Sequence, residues 1–361
     1  MEIKLLIVDD DKNIIDDFIK TIQRIERDTD IKYKTYTANT LDEALEKFKY
    51  YKLDISIVDL NLKEGGLDNQ DGNIVVSNII DGFRIPIIVI SGEPEKLSDI
   101  HKNNKMIKLI TRGDETYSNQ IIFATLIPKL LNSKTLQYFS RNGYLEHKIN
   151  DFYWNNLQKT IESWDKIAIE HTDDIDKILS RHTVASLNEQ LYVNGNVGHF
   201  DKFHPAEMYI IPRIKQHYHT GDILEKEGLL YTILSPACDI VNQVNLDFYI
   251  LVKIVSFDEL PLLEEKIKEG VDVKLDFYDK LNKKGRSCYD DCKSNKKDRF
   301  HYLPNFNIIK EGLIDFQRIK KVEKENIKEY TPIANISSIF LKDIIARFSA
   351  YYARQGQPNL M

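Results

Sequence analysis

The sequence lacks the features that mark secreted, membrane-spanning and strongly basic proteins. Its 361 residues include only three cysteines, an odd number and too few for a disulfide framework, which favours a reducing compartment. No apolar run approaches the roughly 20 residues that a membrane-spanning helix needs, and the N-terminal residues do not have the pattern of a signal peptide. The net charge of −6 provides no overall attraction for a polyanion. We therefore expect a cytoplasmic globular protein with no membrane partner and, at this length, with two domains.

Two short apolar runs end in aspartates. Residues 3–8 form a mostly apolar run followed by Asp9 and Asp10, and residues 55–58 form a second one followed by Asp59. Runs of this length and composition are typical of buried parallel strands. Ligands of open α/β sheets bind outside the carboxyl ends of the strands, so we expect the three carboxylates to converge there. Like charges repel at close range, and a hard cation such as Mg²⁺ with oxygen ligands would neutralise them.

The first 132 residues alternate between predicted strands and helices. Further strands are expected over residues 33–38, 85–90 and 106–111, and helices over residues 13–25, 40–50, 73–80, 95–103 and 118–131. Five strand-helix pairs predict an α/β domain with a doubly wound, five-stranded parallel sheet of the flavodoxin-like type. We assign residues 1–132 to this domain.

Residues 1 to about 130 resemble the receiver domain of bacterial two-component response regulators. The matching positions are the acidic pair Asp9 and Asp10, the phospho-accepting Asp59, Asn61, the Asp71-Gly72 dipeptide that opens the third helix, and the hydroxyl residue Ser91. The resemblance implies that Asp59 takes a phosphoryl group from a partner histidine kinase. It also implies that Asp9, Asp10, Asp59 and the backbone carbonyl of Asn61 hold Mg²⁺, and that Ser91 contacts the phosphoryl group.

Three features depart from the family pattern. Arg112 stands where the family has a lysine that pairs with the phosphoryl oxygens, and Leu109 occupies the aromatic switch position. Arginine offers a wide planar fork instead of a compact point charge, so this exchange is not conservative. The segment 62–69 also lengthens the loop after Asp59. We expect Ser91 and Arg112 to hold the transferred oxygens; the alternative is a degenerate receiver whose acids serve only as a metal or docking site.

Residues 133–188 are predicted to form a helical connector. Apolar residues recur at three- or four-residue steps from 136 to 170, which indicates one long amphipathic helix or two joined ones, and a second helix is expected over residues 174–187. Trp154 and Trp164 belong to the apolar stripe. The stripe can pack within the chain or form the seam of a homodimer.

Residues 189–361 are predicted to form a β-rich α+β output or interaction domain. Short apolar runs separated by turn residues predict strands near 208–212, 220–224, 230–239, 247–255, 306–309 and 313–319, and a closing helix over 336–355. The residues of this region identify no family. It has no basic recognition helix after a short turn, which disfavours a transcription factor and makes nucleic acid an improbable partner.

The chemistry of this second region is open. Cys288, Cys292, His301 and Cys238 are of the types that fill a structural zinc shell, and the alternative is three scattered free cysteines. His217 and His219 could share one strand face, with Asp222, Asp239 or His204 as further metal ligands, and residues 235–239 could form a nucleophile turn. The basic stretch 280–299 is predicted to be a solvated lysine-rich hairpin, or a loop that docks an acidic partner or a phosphate backbone.

Three functions follow from these observations. The first is a response-regulator-like signalling protein that is phosphorylated on Asp59 and controls a non-DNA-binding C-terminal domain, which acts on a downstream protein. The second is an effector enzyme, such as a nuclease, with its activity in the C-terminal domain. The third is an adaptor with a degenerate receiver. An enzyme predicts polar groups converging in a concave pocket, whereas an adaptor predicts an exposed apolar patch.

Overall fold

The computed structural model describes residues 2–62, 71–140, 143–192, 203–242, 246–268 and 275–354. The chain divides into two compact units, Met1–Phe200 and Asp201–Met361. Among the described residues, none of the helices is both long and apolar enough to cross a membrane. The lengthened loop predicted after Asp59 falls largely on residues 63–70, which lie outside the described residues.

The first unit contains a five-stranded parallel sheet in the order β2-β1-β3-β4-β5. Its strands are β1 (Glu2–Val8), β2 (Lys32–Ala38), β3 (Ile55–Val58), β4 (Ile87–Ser91) and β5 (Ile107–Thr111). Every residue of β3 and β4 is buried, as expected for strands that are covered on both faces. This is the flavodoxin-like strand order, so the predicted fold class is confirmed.

Helices cover both faces of this sheet. They are α1 (Lys12–Asp28), α2 (Leu41–Tyr50), α3 (Asp71–Gly82), the short α4 (Asp99–Lys102), α5 (Asn119–Ile121) and α6 (Ile127–Leu131). A π-helical turn, Ile122–Leu126, joins α5 to α6, so the predicted helix over residues 118–131 is present with a widened turn. Pro128 explains the widening, because it has no N–H to donate to the carbonyl of Ala124 and its ring clashes with that turn.

The predicted connector region, as far as the structure describes it, contains four α-helices. They are α7 (Lys134–Phe139), α8 (Tyr144–Asn155), α9 (Ile161–Glu170) and α10 (Ile175–Tyr192). Gly143 precedes α8 and packs closely on the end of α7. A Cβ at this position would lie 2.4 Å from the carbonyl oxygen of Gln137. The predicted apolar stripe with both tryptophans stays a prediction: the ring centre of Trp164 lies 4.7 Å from that of His182, and Trp154 is 67% exposed.

The second unit contains a seven-stranded antiparallel sheet in the order β10-β11-β9-β8-β7-β12-β6. The strands are β6 (Tyr209–Ile210), β7 (Asp222–Lys226), β8 (Leu229–Ile233), β9 (Phe248–Val255), β10 (Phe300–Leu303), β11 (Gly312–Glu323) and β12 (Thr331–Ile336). The predicted β-rich architecture is therefore confirmed. The sequence prediction missed β10 and β12, and the strand expected over residues 306–309 is only a single bridge between Phe306 and Ile309.

Five helices accompany this sheet: α11 (Ala237–Asn242), α12 (Pro261–Glu264), α13 (Phe277–Lys280), α14 (Lys283–Lys293) and α15 (Ser338–Ala353). The basic stretch 280–299 was predicted to be a hairpin or loop, and this is wrong because α14 occupies most of it. Several of its cations are paired with carboxylates, namely Arg286 with Asp279, Lys293 with Glu311, and Arg299 with Asp315. These pairs reduce the charge that the stretch presents to a polyanion.

Candidate functional site

Three carboxylates meet at the carboxyl edge of the five-stranded sheet. Asp9 and Asp10 follow β1 and Asp59 follows β3, and these two strands pair directly up to Val8 and Val58. One oxygen from each aspartate lies within 4.8 Å of the others. In the described part of the chain, no other group of three or more histidine, cysteine or acidic side chains is this close together. The predicted convergence of the three acids is therefore present.

Asp59 is held by several hydrogen bonds. It is 8% exposed, its Oδ1 accepts a hydrogen bond from the backbone N–H of Leu60 at 2.8 Å, and the hydroxyl of Ser91 also hydrogen-bonds to it. Ser91 ends β4, the neighbour of β3, which explains why two residues so far apart in sequence meet. The Ser91 hydroxyl oxygen additionally accepts the N–H of Glu93 at 3.2 Å. These bonds fix the orientation of the Asp59 carboxylate.

Arg112 lies between two buried carboxylates. Its Nη2 is 2.9 Å from Oδ2 of Asp9 and 3.1 Å from Oδ2 of Asp59. Its backbone N–H donates to the carbonyl of Ser91 at 2.8 Å, which anchors the residue just beyond the end of β5. The guanidinium group thus supplies positive charge to the acidic pocket, and this bridging position could not be read from the sequence.

Burial and mutual repulsion disfavour the charged form of the carboxylates in this pocket. Burial raises the pKa of both Asp9 and Asp59 above the usual range of a carboxyl group, and the charge of Arg112 acts in the opposite direction. Three carboxylates at one sheet edge repel each other, so a divalent cation would be bound favourably. Clustered carboxylate oxygens are the ligands that Mg²⁺ prefers, and the residues present therefore fit this ion.

The start of α3 packs directly against the end of β3. A Cβ on Gly72 would lie 2.3 Å from the carbonyl oxygen of Asp59 and 2.4 Å from Cα of Leu60. Both atoms belong to the backbone, so neither can move aside as a side chain would. A glycine at this position lets the helix approach the segment that carries Asp59.

We expect Gly72→Ala to destabilise the first unit by about 1–3 kcal/mol, because overpacking displaces the backbone next to Asp59. Gly82→Ala is the matched control, since nothing lies within 4 Å of a Cβ there. Urea unfolding followed by hydrogen exchange in β3 measures both variants. Equal stability of the two would contradict the close packing at Gly72.

Glu93 is a residue of the site that the sequence prediction missed. Its Oε2 accepts a hydrogen bond from Nδ2 of Asn61 at 2.6 Å and lies 2.7 Å from Nζ of Lys96. These hydrogen bonds lower the pKa of Glu93. The available signal was its place two residues after Ser91, in the loop that follows β4.

The role of the Asn61 backbone carbonyl stays a prediction, and Leu109 is partly buried against the core beneath α2 and α3.

The predicted zinc site is wrong, because the structure does not bring Cys238, Cys288, Cys292 and His301 together. Cys238 is exposed and donates to Asp239, and Cys292 is buried in an apolar cluster. Burial raises the pKa of the Cys292 thiol to about 12, which disfavours the thiolate that zinc requires. His301 lies on β10, whereas Cys288 and Cys292 lie on α14 and Cys238 lies on α11.

The alternative metal site at His217 and His219 lacks its third ligand: among the described residues, neither Asp222, Asp239 nor His204 forms a close group of donors with the two histidines. The Nδ1 of His219 lies 2.7 Å from the backbone carbonyl oxygen of His217. Asp222 is fully buried and accepts a hydrogen bond from Nδ2 of Asn335 at 2.7 Å. It also lies 3.6 Å from Nε of Arg213, so its role in the structure is that of a buried anion.

No family model matches the sequence, and no curated protein matches it. Among solved structures, the chain is similar to the signal receiver domain of an HD domain-containing protein from Pseudomonas fluorescens Pf-5, with 17% identity over 36% of this chain and 95% of that chain, and a TM-score of 0.29. A two-component response regulator from Clostridium difficile matches with 21% identity, 36% and 99% coverage, and a TM-score of 0.29. The receiver domain of NtrX from Brucella abortus matches with 20% identity, 36% and 99% coverage, and a TM-score of 0.28. The N-terminal region is thus similar to receiver domains, and its fold is defined by its own strand order.

Proposed function

We propose that this protein is a response-regulator-like signalling protein whose first unit accepts a phosphoryl group on Asp59 from a histidine kinase. The observation that carries this proposal is the arrangement around Asp59. The carboxylate lies at the sheet edge between Ser91 and Arg112 and beside two further acids. A lone structural aspartate would not need a hydroxyl, a guanidinium group and an acidic pair at one strand end.

The reaction follows from these contacts. An oxygen of Asp59 attacks the phosphorus of the phosphohistidine, an O–P bond forms, the N–P bond breaks, and the leaving imidazole takes up a proton. Oδ1 of Asp59 is held by the Leu60 N–H, and Oδ2 faces Arg112, which places the carboxylate in a fixed orientation. The Ser91 hydroxyl and the Arg112 guanidinium then donate hydrogen bonds to the transferred oxygens.

Asp9, Asp10 and Asp59 are the residues that would hold Mg²⁺, together with the backbone carbonyl of Asn61. When bound, the ion neutralises the charge that develops on the phosphoryl oxygens. Without it, three acids would repel an incoming phosphate, because Arg112 offsets only part of their charge.

Intact mass after treatment with acetyl phosphate and Mg²⁺ tests the proposal. We expect one phosphoryl adduct on the native protein and none on Asp59→Asn, because the amide is not a nucleophile for this reaction. Asp54→Asn is the matched control, since Asp54 precedes the same strand and accepts a hydrogen bond from the Lys4 N–H away from the pocket. Labelling of Asp59→Asn to the native level would overturn the assignment of the acceptor.

The second unit is proposed to be the output or interaction domain that the first unit controls. Its basic stretch is largely folded into α14 and paired with carboxylates, which supports a protein partner over nucleic acid. The enzyme alternative requires a site with converging polar groups in this unit. The cleft between residues 203–208, β10 and α15 instead has mostly apolar walls.

A further inference from the structure

The second unit contains a cleft that takes no part in the proposed phosphoryl transfer. It has a volume of about 330 Å³ and lies between the segment 203–208, strand β10 and helix α15. Its walls are mostly apolar, and the rings of Phe203 and Phe340 meet edge to face at 5.4 Å. Tyr302 and Met208 continue these walls. The volume is at the lower end of the range of small-molecule sites, which is about 300–1,000 Å³.

His301 provides a buried polar group in the lining of this cleft. Its side chain is 5% exposed, and its Nδ1 has no hydrogen-bond partner among the described residues. Burial and the nearby charge of Arg347 lower the pKa of His301 to about 4, so the ring is neutral at physiological pH. A polar group buried in this way in a native protein generally has a partner.

Asp343 lies beside the unpaired nitrogen of His301 and is the acidic side chain that lines the cleft. Its Oδ2 is 3.6 Å from Nδ1, which is too long for a direct hydrogen bond. In the neutral tautomer with the proton on Nε2, Nδ1 is a hydrogen-bond acceptor without a partner among the described residues. The acceptor nitrogen and the 63% exposed carboxylate thus lie side by side in the cleft, whose lining also includes the polar residues Asn295 and His204.

We propose that this cleft binds a small planar aromatic molecule that carries an N–H donor group, such as an aromatic amidine or an amino-substituted heterocycle. The ring packs between Phe203, Phe340 and Tyr302, where apolar and edge-to-face contacts stabilise it. The donor group binds the acceptor nitrogen of His301 and the carboxylate of Asp343. An anionic ligand is disfavoured, because the Asp343 carboxylate repels it.

Benzamidine is the probe for this site, with benzoate as an anionic ligand of the same shape. Isothermal titration of the full chain is expected to give a dissociation constant of roughly 0.1–1 mM for benzamidine, as is usual for a fragment of this size, and much weaker binding of benzoate. Asp343→Ala should weaken benzamidine binding by about tenfold, because it removes a charge-assisted hydrogen bond.

Asp343 is exposed, so this variant is expected to fold, and Asp276→Ala controls for the loss of an exposed acid elsewhere in the unit. His301→Leu provides a second test of the donor recognition, and far-UV circular dichroism verifies its fold. Equal affinity of Asp343→Ala and the native protein, equal binding of benzoate, or no saturation below about 10 mM benzamidine would each overturn the proposal. Phosphorylation of Asp59 is irrelevant to this outcome, so the two proposals fail independently.

Discussion

Replacing Arg112 by glutamine is expected to raise the affinity of the protein for Mg²⁺ by about tenfold or more. Nη2 of Arg112 lies 2.9 Å from Asp9 and 3.1 Å from Asp59, and these carboxylates are also the proposed metal ligands. The guanidinium group and the metal therefore compete for the same negative charge. At such distances an ion pair is worth several kcal/mol at an effective dielectric constant of about 20, and about 1.4 kcal/mol corresponds to a tenfold change in affinity.

The same change is expected to weaken the binding of beryllium fluoride, the phosphoryl mimic, by about tenfold. Arg112 is proposed to donate hydrogen bonds to the transferred oxygens, and charge-assisted hydrogen bonds are worth about 1.5–3 kcal/mol. Arg112→Ala should behave in the same way. Opposite effects on the metal and on the phosphoryl mimic would distinguish this role from a general loss of structure, which would weaken both.

Titration calorimetry with Mg²⁺ alone, and then with beryllium fluoride at saturating Mg²⁺, measures the two effects. Lys108→Gln is the matched control, because its Nζ lies 4.6 Å from the centre of the Tyr117 ring and is not among the contacts of the acidic pocket. If Lys108→Gln weakens beryllium fluoride binding and Arg112→Gln does not, Lys108 supplies the phosphate charge. An unchanged Mg²⁺ affinity in Arg112→Gln would refute the competition.

Replacing Asp222 by alanine is expected to destabilise the second unit by about 3–5 kcal/mol, the usual effect of breaking a buried ion pair. Asp222 is fully buried, and Arg213, its cationic neighbour at 3.6 Å, is only 9% exposed. The carboxylate also accepts hydrogen bonds from the backbone N–H of His219 at 2.8 Å and from Asn335. Its removal leaves a buried cation and two hydrogen-bond donors without their acceptor.

Hydrogen exchange as a function of urea, followed in β7 and β12, measures this loss within the second unit. Asp276→Ala is again the control, because that acid is exposed. A loss below about 1 kcal/mol in Asp222→Ala would mean that water reaches Arg213 and compensates for its charge. A large loss would indicate that Asp222 stabilises the fold and does not serve as a metal ligand beside His217 and His219.

The sequence alone determined the first unit to a large extent. Strand β3 is buried on both faces, so its apolar run is uninterrupted and its end is marked by Asp59. The rule that parallel strands present their carboxyl ends at one edge was then sufficient to bring Asp9, Asp10 and Asp59 together. Local patterns of this kind depend on neighbouring residues, so they can be read directly from a single chain.

The second unit was harder to predict, because its elements depend on distant partners. Strand β10 directly follows a lysine-rich stretch; it pairs with β11 and packs in apolar clusters with α14 and α15. Cys238, the pair Cys288 and Cys292, and His301 lie on three separate elements, and the structure does not bring them together. Spacing along the chain specifies the distance between two side chains only within one helix, strand or turn. It does not specify the distance between side chains on different elements.

Residue types and their order along the chain thus determined the α/β fold, the acidic pocket and the β-rich character of the second unit. Only the tertiary structure decided that Arg112 bridges Asp9 and Asp59, that Glu93 binds Asn61, and that His301 lies beside Asp343 in an aromatic cleft. Each of these contacts joins side chains from different elements. Their geometry depends on how the elements pack, and a one-dimensional pattern does not carry that information.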